Sequence, residues 1–79
     1  MAMKDISDVQ VLQAVTKARA SNFELWPYDI LETETKQHWK VCFRAMERAE
    51  RRGLLECGVS LRTGWLTEKG KALVASALT

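Results

Sequence analysis

The sequence predicts a mainly helical α+β domain with one small β-hairpin, on three observations. Apolar residues recur at helical spacing in four separate segments. After Gly53 the period switches to two: Leu55, Cys57, Val59 and Leu61 alternate with Glu56, Gly58, Ser60 and Arg62. The chain has 79 residues, enough for one domain spanning 1–79, with residues 1–6 expected as a flexible N-terminus. A hydrophobic share of 47% against 28% charged residues excludes a disordered chain.

Each element has its own local signal. Ser7 and Gln10 form a capping box, and Ile6 and Val11 stand at the N′ and N4 positions of a hydrophobic staple. Val9, Leu12, Val15 and Ala18 continue at helical spacing, which predicts a first helix over 8–20. Ser21 and Asn22 end it, and Phe23-Glu24-Leu25-Trp26 alternates weakly, as a short strand would. Pro27 suits the first position of a second helix, about 27–34, with Asp29 and Glu32 near its positive end. The third helix is expected at about 36–52, closed by Gly53 at its C′ position. Arg62-Thr63-Gly64 reads as a three-residue hairpin loop and Trp65-Leu66 as the returning strand. Thr67 caps a last helix, 68–78, with Leu73, Val74, Ala77 and Leu78 inward.

Charge is distributed unevenly. The net charge is +2, but residues 1–35 hold three basic against six acidic side chains. Residues 36–52 hold six basic against two acidic ones, a net of +4. On a helical projection Trp39, Cys42, Phe43 and Met46 share one side, with Ala49 at its edge. Gln37, Val41, Arg44, Arg48 and Arg51 lie opposite, with Lys40 beside them. Trp39 is expected to be fully covered, and Trp26 and Trp65 to pack in the core seams. A helix with one apolar and one basic face is a candidate anion-binding element, and nucleic acid is the commonest large anion. Arg51 and Arg52 in the last turn also suit the helix dipole, which discounts them as ligands.

Other function classes find little support. Two cysteines, Cys42 and Cys57, make no disulfide framework and no Cys-x-x-Cys pair. His38, Cys42 and Cys57 would leave a metal short of a fourth ligand, so no metal and no cofactor are expected. No oxyanion hole or orienting third group accompanies a Cys–His pair, and no enzymatic activity is expected. The apolar runs are too short for a membrane span, and the start lacks the apolar segment of a signal peptide. A cytoplasmic protein with no membrane partner is the expectation.

Helix, short strand, helix, helix, hairpin, helix is the order of a winged helix-turn-helix domain, whose third helix enters the major groove. Three stretches carry a family resemblance: Trp26-Pro27-Tyr28-Asp29-Ile30-Leu31, the run from Glu47 to Glu56 containing Arg52-Gly53-Leu54-Leu55-Glu56, and Leu66-Thr67-Glu68-Lys69-Gly70-Lys71-Ala72-Leu73. Together they resemble PadR-type and MarR-type winged-helix regulators over roughly residues 8–75. The turn Glu34-Thr35-Lys36-Gln37 departs from that family in having no glycine. The resemblance implies base-reading positions at Gln37, His38, Lys40, Val41 and Arg44. Gln37 suits adenine, Arg44 suits guanine and Val41 a thymine methyl. Lys36, Lys40 and Arg48 suit phosphates. Arg62 and Thr63 fall at the wing tip, where an arginine enters the minor groove or meets the backbone.

The expected function is sequence-specific double-stranded DNA binding by a small stand-alone transcriptional regulator, of the kind phage, prophage or plasmid DNA encodes. The alternative is a winged-helix protein-interaction module without DNA binding. Small residues Ala72, Ala75 and Ser76 make a homodimer seam along residues 68–78 a further expectation.

Overall fold

A computed structural model describes residues 6–58 and 64–78. The described chain is mainly helical, with four helices and a two-stranded antiparallel sheet: α1 (Asp8–Ala20), α2 (Pro27–Thr35), α3 (Trp39–Arg51), β1 (Leu55–Glu56), β2 (Trp65–Leu66) and α4 (Glu68–Leu78). The expected bounds of α1 and α4 agree with those observed. The arginine and threonine of the hairpin loop, with Val59 and Leu61, lie outside the described residues.

At the start of α1, the Ser7 hydroxyl accepts from the Gln10 N–H at 3.2 Å, and the Gln10 side chain accepts from the Ser7 N–H at 3.0 Å. This reciprocal cap satisfies two donors that the first turn would otherwise leave open. Ile6 is only 3% exposed and Val11 is fully buried, so the hydrophobic staple holds. Residue 6 therefore belongs to the core and not to a flexible terminus. The staple fixes the direction in which the chain enters α1.

No strand forms at 23–26. Asn22 and Phe23 both take left-handed backbone conformations, with φ of 58° and 60°, and the Phe23 N–H donates to the Ala18 carbonyl at 2.7 Å. That is a helix-ending turn, incompatible with an extended chain. Phe23 is held there by the Trp26 ring, 5.8 Å away between centroids, and by the Arg19 guanidinium, 5.7 Å from its own centroid. Pro27 then opens α2, and the Asp29 carboxylate accepts from the Trp26 N–H at 3.3 Å.

The third helix begins at Trp39, three residues later than expected. Lys36 ends α2 in the left-handed conformation, φ 58°, its N–H donating to the Glu32 carbonyl. Gln37 follows in the turn and His38 caps α3, its Nδ1 accepting from the Lys40 N–H at 3.2 Å. A turn that lacks glycine thus still uses a left-handed residue, and that residue is Lys36.

The core is built from Val11, Leu12, Ala14 and Val15 of α1, Leu31 of α2, Cys42, Ala45, Met46 and Ala49 of α3, and Leu54 and Leu55. Leu55 pairs with Leu66 and Glu56 with Trp65. Leu55 faces the core and Glu56 faces out, as the alternation predicts. Gly53 takes φ 76° at the end of α3. No helix among the described residues is long and apolar enough to cross a membrane.

Two sets of bonds fix α3 among its neighbours. Asp8 takes Arg48 Nε at 3.1 Å and Arg52 at 2.5 Å, and Arg48 also donates to the Ile6 carbonyl. These tie the end of α3 to the start of α1. The second set joins α3 to α4: Thr67 donates through its hydroxyl to the Gly53 carbonyl at 2.6 Å and accepts from the Gly70 N–H at 3.1 Å. The Thr67 N–H donates to the Leu54 carbonyl at 3.1 Å. Gly70 lies so close that a Cβ there would stand 2.2 Å from the Leu54 oxygen. Backbone cannot yield as a side-chain end can, so Gly70→Ala is expected to cost about 2 kcal/mol or more. For a domain of this size that lowers the thermal midpoint by roughly 10 °C. An unchanged midpoint in a melting experiment would refute the contact.

Candidate nucleic-acid interface

The geometry of α3 follows from what fills the space under it. Cys42, Ala45, Met46 and Ala49 are its buried residues, so its inward line runs through two alanines and not through its aromatics. The larger Trp39 and Phe43 are displaced to one flank, where Phe43 is half-buried and Trp39 is 44% exposed. The expectation that Trp39 is fully covered is therefore overturned. Trp65 is also 40% exposed, and its partner across the sheet is the outward-facing Glu56.

Opposite the buried line, Lys40, Arg44, Glu47 and Arg51 are all exposed. At 100° per residue these four fall within one narrow sector, a stripe of three cations and one carboxylate. Among the described residues, ion pairs engage Lys17, Arg48, Arg52 and Lys71, and none engages Lys40, Arg44 or Arg51. Three of the helix's basic side chains are thus left facing water.

The other expected contact residues are placed in several different ways. Lys36 and His38 are exposed in the turn that leads into α3, beside its first residues and not within the helix. Gln37 is half-buried there, its N–H donating to the Thr35 hydroxyl at 3.3 Å. Val41 is half-buried and packs against the core cluster, which turns it away from the basic stripe. Arg48, with 29% of its side chain exposed, is engaged by Asp8 and the Ile6 carbonyl and serves as a structural tie. Arg62 and Thr63 lie outside the described residues. Arg51 completes the stripe, and the 100° projection already carried that signal before the dipole argument set it aside.

The start of α3 carries an aromatic group that the sequence reading did not assemble. The Trp39 ring lies 6.3 Å from Tyr28 and 5.7 Å from His38, and Tyr28 meets Phe43 edge-on at 6.3 Å. The Lys40 ammonium lies 5.9 Å from the Trp39 ring centroid, within cation–π range.

His38 and Cys42 do not form a joint site. The His38 ring is exposed and its Nδ1 serves the helix cap, while Cys42 is buried with its thiol directed at the Gln37 carbonyl, 3.7 Å away. No group of three His, Cys, Asp or Glu side chains among the described residues is arranged to hold a metal ion. No family model matches the chain, and no curated protein or solved structure matches it.

Both thiols resist ionisation. Burial pushes Cys42 above the ordinary thiol value of 9.0, partly offset by the Thr35 hydroxyl. The hydrogen bond that Cys57 donates to Glu50 at 2.7 Å raises it as well. A folded pKa above the unfolded one gives stability that is complete below the unfolded value and is lost as pH rises through the folded value. Denaturant unfolding at about pH 8 and about pH 10 is expected to show a larger loss in the native chain than in Cys42→Ala/Cys57→Ala. Equal losses in the two proteins would contradict the assignment.

Proposed function

We propose that this chain is a winged helix-turn-helix domain that binds double-stranded DNA, with the exposed face of α3 in the major groove. The observation that carries the reading is the stripe of Lys40, Arg44 and Arg51, exposed and unpaired among the described residues on one helix. Support also comes from the three-residue connection, 36–38, between α2 and α3, the length typical of helix-turn-helix pairs. In this reading Arg44 meets guanine, while Lys40, Arg51 and Lys36 meet phosphates. His38 and Gln37 stand at the end of α3 that approaches base edges. Arg62 and Thr63 remain wing-tip candidates by sequence position. A small stand-alone transcriptional regulator, whether phage, prophage or plasmid encoded, is the role that fits such a domain. A two-fold dimer along α4 is its natural extension, since Ala72 and Ala75 are exposed there.

The competing reading, a protein-interaction module, draws on Trp39, Trp65 and Leu25, which are large apolar side chains left exposed. Lys40→Glu/Arg44→Glu separates the two, because both side chains point outward and neither supports the core. Fluorescence anisotropy with a labelled duplex is expected to show native affinity falling linearly in log–log form with salt, at a slope of about three to six phosphate contacts. The double variant is expected to lose about tenfold or more in affinity and to flatten that slope by about two, with helix content unchanged. Undiminished binding by the folded variant would reject α3 as the contact element.

A further inference from the structure

We propose that Trp39 is a specificity-determining residue of this interface, its exposed ring contacting thymine C5-methyl groups in the major groove. The inference rests on the duplex-binding reading above and gives that site a base preference.

Position is the first argument. Trp39 is the first residue of α3, and helical side chains lean toward the N-terminus of their own helix. The ring therefore extends to the end of α3 whose residues meet base edges when such a helix lies in the groove. The second argument is exposure without looseness. A 44% exposed indole leaves apolar surface in water, yet its ring is braced by Tyr28 at 6.3 Å and His38 at 5.7 Å. Tyr28 in turn packs against the buried core cluster. A rigid aromatic surface loses little conformational freedom when it meets a partner, and aromatic surface of this kind is favoured at binding sites.

The third argument is the charge around the ring, which selects the partner. The Lys40 ammonium stands 5.9 Å from the ring centroid, and the first turn of α3 holds no acidic residue. An occupant that offers an apolar group near negative charge fits this surface, and in the duplex-binding reading that charge is the phosphate backbone. In the major groove the one apolar group on a base edge is the thymine methyl. The indole N–H, a donor only, suits an acceptor such as thymine O4 or purine N7 on the same edge.

The test titrates the full chain with an alternating adenine–thymine duplex and with its adenine–uracil counterpart, from which only the C5-methyl groups are missing. The native chain is expected to bind the thymine duplex about fourfold more tightly for one contacted methyl. Trp39→Ala is expected to bind both duplexes equally and to keep the native salt dependence. A measurement independent of any variant is the nuclear Overhauser contact between thymine methyl protons and the Trp39 ring in the native complex. Equal native affinities, a preference that survives in Trp39→Ala, or a complex without methyl-to-indole contacts would each overturn the assignment while leaving duplex binding intact. A native chain that binds neither duplex at about 50 mM salt overturns the duplex reading itself, and this inference with it.

Discussion

The carbonyl oxygen of Leu54 is the point on which the second half of the molecule depends. It accepts from the Thr67 N–H at 3.1 Å, and it faces Gly70 so closely that only a residue without a Cβ fits. One residue earlier, the Gly53 carbonyl accepts from the Thr67 hydroxyl, which also caps α4 through the Gly70 N–H. A single threonine therefore begins α4, closes the turn that ends α3 and sets where the sheet starts. Lys69 adds a bond to the Arg52 carbonyl at 3.0 Å. With three successive carbonyls of the α3 exit turn taken by the first residues of α4, the sheet between them is held in place although each strand has only two described residues.

Asp8 performs the corresponding task at the other side of α3, and it also decides which cations are left over. It is only 16% exposed at its side chain and gathers both Arg48 and Arg52. Partly buried charges need partners of opposite sign, so these two arginines belong to the tie between α1 and α3. The cations of α3 that Asp8 does not engage, Lys40, Arg44 and Arg51, are left exposed. The basic residues of α3 and its exit turn thus divide: Arg48 and Arg52 are tied to Asp8, while Lys40, Arg44 and Arg51 form the exposed stripe opposite the buried line.

Much of this was legible because the signals are local. The Ser7/Gln10 box, Pro27, Gly53 and Thr67 each act within a few residues, and the bounds of α1 and α4 follow from them. The misreadings share a different cause. Phe23 and Lys36 adopt left-handed backbone that their side chains do not advertise, so a turn was read as a strand and another as the beginning of a helix. A projection weighted by hydrophobicity places Trp39 inward because it is drawn to the largest side chains. The observed inward line runs through Cys42, Ala45, Met46 and Ala49, two of them alanines that a hydrophobicity-weighted projection passes over. The same projection places Arg48 outward, because nothing local to it reveals Asp8, 40 residues earlier in the chain.

The buried line of α3 also decides where its aromatics stand. With Cys42, Ala45, Met46 and Ala49 inward, Trp39 and Phe43 lie on the flank where Tyr28 of α2 meets them. Trp39 also lies beside His38, the cap of the helix. His38 caps with Nδ1 as acceptor, which requires the ring hydrogen of the neutral form to reside on Nε2. The cap thereby fixes the ring that lies against Trp39, and Trp39 in turn lies under the Lys40 ammonium. The exposed start of α3 is accordingly held by a cap, two ring contacts and a cation, and it stands on the side of the helix that the buried residues 42, 45, 46 and 49 leave outside the core.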